Sequence, residues 1–315
     1  VETLFPLFEG PEKKLEIILF SPQAGIRSNQ TGRWDRVVAA SRAEIISRTA
    51  TDQLDAYLLS ESSLFVWDDR ILMITCGRTT LVQSLPEILS IVSQDKVAFV
   101  FYEQKNFLYP EKQPSDFKKD VSAITQYFPG KYYILGPANY DHLNVFYSSH
   151  ADQNSEQDAT LQILMHKLNP KAMSIFCAGL TPRQVEGRSG LADLYPMPMI
   201  MDGHTFSPCG YSLNGISRDR YFTVHVTPQP AGSYASFETN IFETDYSNTV
   251  RRVISIFKPG RFSVALTTTL DGQCLPCHDT ISGGIPAYRM ADKSFYQFDC
   301  GYGVSFFNYL KEKEL

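Results

Sequence analysis

The stretch that most restricts the fold is Tyr57-Leu-Leu-Ser-Glu-Ser-Ser-Leu-Phe-Val66, followed by Trp67-Asp-Asp-Arg70 and Ile71-Leu-Met-Ile-Thr-Cys76-Gly77. Apolar, β-favouring residues surround a polar cluster, Ser60 to Ser63, and Asp68-Asp69 reads as a turn. Two antiparallel strands running back from that turn would set Cys76 close to the serines, because facing strands bring side chains within reach of one another. A hydroxyl, a carboxylate and a thiol in one place could form a reactive site. On composition alone the same cluster reads as a solvated surface hairpin.

The rest of the chain supplies a core for such a hairpin. With 315 residues, 43% of them hydrophobic, it can bury one or two domains. Its 21 Phe and 17 Tyr against 2 Trp favour strand-rich structure. A net charge of −5 and no Lys/Arg run argue against a nucleic-acid partner. No apolar run reaches membrane-spanning length, and the amino terminus lacks a signal-peptide pattern, so no membrane partner and a cytoplasmic location are expected. The scattered cysteines, at 76, 177, 209, 274, 277 and 300, are expected to be reduced thiols rather than a disulfide framework.

Leu15 to Phe20 reads as a buried strand after an irregular lead-in set by Gly10 and Pro11. Trp34, Val37, Val38 and Ile45 predict an amphipathic helix over 34–48. Leu81, Leu85, Ile88 and Val92 predict a second, with Pro86 tolerated only near its first turn or as a kink. A strand follows at 97–102, a helix through Phe117, Val121 and Ile124 ending by Pro129-Gly130, and a strand at 132–135. Polar residues 149–158 read as a linker between halves of about 1–150 and 158–315. The second half repeats the style. Thr160 to Lys167 is a strand with Leu161, Ile163 and Met165 on one face. Gly210–Gly215 and Tyr221–Thr227 form a hairpin with Arg218-Asp219-Arg220 at its tip, and Tyr234–Asn240 is extended. Val250, Val253, Ile254 and Phe257 mark a helix stopped by Lys258-Pro-Gly260, and Arg261 to Thr269 is extended again. Strands outnumber helices and join mostly by hairpins, which predicts an α+β fold of antiparallel sheets with helices on one face of each.

Leu59-Ser-Glu-Ser-Ser63, with Thr75-Cys-Gly77 a short strand later, resembles the self-processing segment of the pyruvoyl-dependent S-adenosylmethionine decarboxylases of the longer, eukaryotic type. The resemblance extends over most of the chain, through Phe8-Glu-Gly-Pro-Glu-Lys13, Thr205-Phe-Ser-Pro-Cys-Gly-Tyr-Ser212 and Thr223-Val-His-Val-Thr-Pro228. It implies one domain over 1–315, a four-layer αββα sandwich of two pseudo-repeat halves with the active site between the sheets. It implies self-cleavage between Glu61 and Ser62, in which Ser212 and His225 take part, His225 as the base. Ser62 would become a pyruvoyl group that forms a Schiff base with the substrate, in place of pyridoxal phosphate and without a metal. Cys76 would be the proton donor. Phe8 and Phe206 would stack on the adenine, Glu9 and Glu12 would form a polar wall, and Leu59, Glu61 and Gln229 would contact substrate. The product would be the aminopropyl donor for spermidine synthesis. The two cleaved chains would stay associated, with a homodimer as an option.

Taken alone, a His in an apolar strand is more often a satisfied core residue than a catalyst, and the motifs around His225 reverse that balance. Gln229 stands where the family usually has a Glu that holds the ribose hydroxyls. Glu16, Asp158, Thr160 and Glu238 match a diamine-binding site of activated members, but Ile74 replaces its lysine, Gln162 an acid and Thr267 an aromatic, while Glu103 adds a charge. The matching residues are read as a remnant that does not respond to putrescine. Cys274-Leu-Pro-Cys277-His278 fits a haem or zinc pattern by spacing and is read as a loop with incidental cysteines. Two rival functions keep part of this frame: a pyruvoyl-dependent decarboxylase of arginine or ornithine, and a non-catalytic regulatory paralogue.

Overall fold

The computed structural model describes residues 8–150, 157–177, 179–229, 232–281 and 284–312. These residues fall into two compact units. The first comprises residues 11–135 with 142–150, and the second Phe8–Gly10, Gly136–Asp141 and the described residues from 157 on.

The first unit carries β1 (Lys13–Leu19), α1 (Arg33–Ala40), β2 (Ile45–Ala50), β3 (Asp55–Leu59), β4 (Ser62–Val66), β5 (Arg70–Thr75), α2 (Leu85–Ile91), β6 (Val97–Lys105), α3 (Phe117–Ile124), β7 (Lys131–Leu135) and β8 (Leu143–Ser149). The second carries β9 (Ala159–His166), α4 (Pro170–Met173), α5 (Pro182–Ser189), β10 (Ile200–Thr205), β11 (Tyr211–Ser217), β12 (Arg220–Thr227), β13 (Tyr234–Thr239), α6 (Ser247–Phe257), β14 (Arg261–Thr269), α7 (Cys277–Thr280), β15 (Tyr288–Gln297) and β16 (Tyr302–Lys311). Each unit holds one eight-stranded antiparallel sheet. The strand orders, β2-β3-β4-β5-β1-β6-β8-β7 and β10-β11-β12-β13-β9-β14-β16-β15, are the same pattern repeated. The α+β class and the two pseudo-repeat halves expected from the sequence are therefore both present.

Strand alternation explains how each sheet covers itself. Leu15, Ile17 and Leu19 of β1 join Trp34, Val37 and Val38 of α1, Leu85 and Ile88 of α2, and Val121 and Ile124 of α3 in one apolar core. Leu161, Ile163 and Met165 of β9 do the same with Val185 of α5 and with Val250, Val253, Ile254 and Phe257 of α6. The intervening positions of the two central strands, Lys14 and Glu16, and Thr160 and Gln162, are polar yet buried. Helix ends follow local chemistry: Asp116 accepts from the Lys119 N–H at 2.9 Å, Thr181 and Gln184 close a capping box, and Lys258 ends α6 in the left-handed region at φ 45°.

Four sequence expectations change. The stretch from Tyr57 to Val66 is not one strand but two, β3 and β4, joined by the two-residue turn Ser60–Glu61. The helix expected over 34–48 stops at Ala40, and Ile45 begins a strand whose residues alternate between half-buried and exposed. Arg42, at φ 66°, turns the chain out of the helix, so the apolar spacing from Val38 to Ile45 spans two elements. Cys177 and Cys209 form a disulfide with Cα atoms 4.1 Å apart, where reduced thiols were expected. An isolated bridge pairs these residues, and the Gly210 N–H bonds the Phe176 carbonyl at 3.1 Å, a proximity that a separation of 32 residues does not reveal. The expected linker is already strand β8 at Ser149, and its residues 151–156 lie outside the described residues.

Candidate active site

The turn at Asp68–Asp69 closes as expected, with the Trp67 N–H donating to the Arg70 carbonyl at 2.8 Å. The resulting register puts Leu59 opposite Ser62 and Ser62 opposite Thr75. Cys76, the next residue, donates its backbone N–H to the Glu61 carbonyl at 3.0 Å, and its thiol points to the same oxygen at 3.5 Å. The proximity of Cys76 to the serine cluster is thus a consequence of pairing.

Ser62 has φ 128°, a region essentially reserved for glycine, which costs on the order of 1–3 kcal/mol. Its hydroxyl is buried with no hydrogen-bond partner among the described residues. Buried polar atoms are normally paired, so this is strain and an unmet donor at one residue. The neighbouring Glu61 carboxyl also has a buried oxygen without a partner, and burial pushes its pKa up to about 7. Burial first, then the charges of Glu61 and Glu12, hold the Cys76 thiol well above the ordinary range. The thiol therefore keeps its proton at neutral pH.

In the second unit β11 and β12 pair Ser212 directly with His225. The His225 Nδ1 lies 3.0 Å from the Ser212 hydroxyl, and its Nε2 lies 2.8 Å from the Thr223 hydroxyl. Thr223 has the carbonyl of Leu213 at 3.1 Å and the Asn214 Oδ1 at 3.0 Å as acceptors. The network is satisfied when His225 carries its proton on Nε2, leaving Nδ1 to accept from Ser212. Burial lowers the imidazole pKa to about 3, so His225 is neutral, as a base must be. Thr223 and Asn214 were missed in the sequence; the i, i+2 spacing of Thr223 and His225 on one strand face is the signal that marks the first of them.

Phe8 is half-buried and Glu9 buried, both in the second unit. The Phe8 N–H donates to the Gln229 Oε1 at 2.9 Å. Gln229 therefore holds the segment bearing Phe8, a job not visible in its motif. Phe206 is half-buried against the edge of His204, with ring centroids 4.7 Å apart. Glu12 is half-buried and Leu59 fully buried in the first unit.

The three acids read as part of a diamine-site remnant all have side-chain partners. Glu16 pairs with Arg70 at 3.2 Å. The Glu238 carboxylate accepts from the Tyr221 hydroxyl at 2.5 Å, and Asp158 from that of Tyr302 at 2.9 Å. Thr160 pairs with Thr267 across β9 and β14. Lys14, another residue missed in the sequence, lies opposite Ile74 on one side and Glu103 on the other, and forms a buried ion pair with Glu103 at 3.2 Å. A lysine inside an apolar strand and the unusual acid at 103 were the available signals; only the register connects them. His278 lies between the hydroxyls of Thr268 and Ser305, each at 2.9 Å. Among the described residues, no three His, Cys, Asp or Glu side chains are grouped as metal ligands, and no helix is long and apolar enough to cross a membrane.

The adenosylmethionine decarboxylase family model matches residues 6–310. The chain belongs to this family. It is 37% identical to an S-adenosylmethionine decarboxylase proenzyme of Xenopus laevis, over 95% of this chain and 94% of the relative. It is 35% identical to the proenzyme of that name from Dictyostelium discoideum, over 96% of this chain and 85% of the relative. The crystal structure of the Trypanosoma brucei AdoMetDC-delta26 monomer superposes with a TM-score of 0.64 at 27% identity, covering 79% of this chain and 99% of that one.

Proposed function

We infer that this chain is a proenzyme that cuts itself between Glu61 and Ser62 and then decarboxylates S-adenosylmethionine, supplying the aminopropyl donor for polyamine synthesis. It is a carboxy-lyase by family. One observation carries the self-processing: Ser62 combines a left-handed backbone with a buried, unpartnered hydroxyl, beside a Glu61 carbonyl already held by the Cys76 N–H.

The chemistry follows from those atoms. The Ser62 Oγ adds to the Glu61 carbonyl carbon, and the oxygen that gains charge faces the Cys76 N–H and thiol, which act as its oxyanion donors. Collapse breaks the Glu61–Ser62 amide bond, leaving an ester on Oγ and a free amine on residue 62. Relief of the Ser62 backbone strain favours this direction. A base then removes the residue-62 α-proton and Glu61 leaves as a carboxylate. The dehydroalanine that remains takes up water and loses ammonia, which gives the pyruvoyl group. His225 is assigned as the base on its motif and its neutral state, with Ser212 as its hydrogen-bonded partner.

Ser62 fits the precursor of that group because its hydroxyl is free to react. The pyruvoyl carbonyl supplies an electron sink for loss of CO2. Cys76, protonated at neutral pH, holds the proton returned to the former α-carbon. Phe8 and Phe206 are assigned to the adenine, Gln229 holds Phe8, and Glu9, Glu12 and Leu59 are assigned to the surrounding wall. The two fragments are proposed to remain associated as one folded unit.

Intact mass under denaturing conditions tests this reading. The expected fragments are residues 1–61 and 62–315 of the 315, the second with a blocked amino terminus, and labelled S-adenosylmethionine should release CO2. A chain that stays whole after long incubation refutes the self-processing. Release of CO2 from arginine or ornithine alone would move the activity to the rival substrates.

A further inference from the structure

We propose that Lys13 is a positioning residue for Cys76: its ammonium pins the turn that presents the thiol and is the positive charge beside which the thiolate forms. The inference rests on Cys76 being the proton donor. Lys13 is the first residue of β1, opposite Thr75, and only 1% exposed. Its Nζ donates to the Thr79 carbonyl at 2.7 Å and to the Gln113 Oε1 at 3.1 Å, and sits 5.3 Å from the centre of the Phe107 ring. The Thr79 hydroxyl in turn donates to that of Thr75 at 2.9 Å. Together these bonds tie both ends of the Thr75–Thr79 turn, which reverses at Gly77 with φ 65° and carries Cys76.

Lys13 makes no ion pair among the described residues, and a buried ammonium without a carboxylate against it is costly. Fixing a carbonyl alone would not require a charge. The charged and titratable groups around it explain the need. Glu61 from the β3–β4 turn and Glu12 from the lead-in oppose ionisation of Cys76, and Lys13 favours it. On the other side Asp120 of α3 supports the ammonium while accepting from the Tyr102 hydroxyl of β6 at 2.5 Å. When Cys76 gives up its proton, the resulting thiolate lies beside two acids, and Lys13 offsets them. Burial lowers the Lys13 pKa to about 8. The cation is present at neutral pH and lost as pH rises through that value, which makes the thiolate harder to form.

The test uses the processed enzyme with Lys13→Met and Lys13→Arg. It measures kcat and KM across pH, and the pH dependence of Cys76 alkylation by iodoacetamide, read by peptide mass spectrometry. Lys13→Met should lower kcat about tenfold or more with KM within about twofold, and shift the alkylation profile upward by roughly one pH unit or more. Lys13→Arg, which stays charged, should recover activity at pH 7 and keep it at pH 9, where the wild type declines. An unchanged alkylation profile in Lys13→Met, or a Lys13→Arg enzyme that declines with the wild type, overturns the proposal. If Lys13→Met does not fold, the arginine profile decides alone. Full turnover by Cys76→Ala would instead remove the proton-donor reading and leave the alkylation result standing.

Discussion

In each sheet a two-residue turn joins the second and third strands, Ser60–Glu61 between β3 and β4 and Arg218–Asp219 between β11 and β12. In each, the residue just after the next strand of the sheet reaches back to the carbonyl of the second turn residue. At the second turn the positive φ, 56°, falls on Arg218 within the turn itself, where a hairpin favours it. Asn240 then completes the bonding: its amide donates to the Asp219 carbonyl at 3.1 Å and accepts from the Tyr221 N–H at 2.7 Å. At the first turn the positive φ falls one residue later, on Ser62. The group that reaches back is Cys76, a backbone N–H and an ionisable thiol. In one half the hairpin carries its positive φ inside the turn and Asn240 bonds its backbone groups, whereas in the other the positive φ falls on the first strand residue, whose hydroxyl is unpaired. On the proposed self-processing, reactivity would come from putting a positive φ and an unbonded hydroxyl on one residue, Ser62, a combination that the other copy of the hairpin lacks.

The largest effect is expected where the two turns differ most. Ser62→Ala should leave the chain full-length, because no hydroxyl remains to attack Glu61. Arg220→Ser, which puts a serine at the matching position of the other hairpin, should create no second cut, since the positive φ there lies on Arg218 and not on the residue that would attack. A new fragment ending at Asp219, seen by mass spectrometry, would show that strain is not what selects the site.

His225→Ala should stall processing at the ester, which hydroxylamine then cleaves. In a Glu61→Gln chain, which lacks the carboxyl that burial brings to about 7, the processing rate should stay flat from pH 8 down to about 5, since burial keeps the imidazole neutral down to about 3. A rate falling with an ordinary histidine pKa near 6.5 would contradict that state. Linkage gives a companion sign. The unfolded chain binds the His225 proton first, so this residue removes stability as pH falls below about 6.5.

Next come the two residues that reach back. Cys76→Ala should reduce turnover by about 100-fold or more, the usual size for a lost general acid, while processing continues, because the backbone N–H to Glu61 survives. Asn240→Ala should do the reverse, leaving processing intact and lowering stability by about 1–3 kcal/mol through unpaired backbone groups, read as a lower Tm. If Asn240→Ala slows processing as much as Cys76→Ala slows turnover, the two turns are not separable.

Much of this was legible in the chain because it is local. Apolar alternation located β9, the Arg218-Asp219-Arg220 tip located the hairpin of β11 and β12, the Lys258-Pro-Gly260 stop located the end of α6, and the Asp68–Asp69 turn brought Cys76 beside the serines. What was hidden depends on register and on neighbours distant in sequence. Ile45 has helical spacing from Val38, yet Arg42 intervenes. Ser60–Glu61 lacks the glycine or asparagine that usually marks a two-residue turn, so two strands read as one. Lys13 and Lys14 look alike in sequence. Alternation sends Lys13 toward the turn of Cys76 and Lys14 toward Glu103, and nothing short of the pairing could tell them apart.

The smallest expected effect concerns diamine control, and it follows from Lys14. Activation requires a ligand that binds the competent state better than the idle one. In activated relatives the sequence resemblance implies a lysine on the strand that bears the cysteine, and here that position is Ile74. The register places Lys14 directly opposite Ile74 on β1, paired with Glu103 on β6. The first unit therefore carries its own buried cation where the expected one is missing, balanced by the acid that had seemed an extra charge. Glu16 is likewise held by Arg70. Adding a diamine supplies positive charge to acids that already have partners. Processing and turnover should change by less than about twofold with millimolar putrescine, a coupling of roughly 0.4 kcal/mol. Lys14→Met should be the informative variant, because it removes the buried Lys14–Glu103 ion pair. Activity should fall, and putrescine should now restore part of it at constant ionic strength. A tenfold response in the wild type, abolished by Asp158→Asn, would show that the second unit's acids still sense a diamine despite the internal pair.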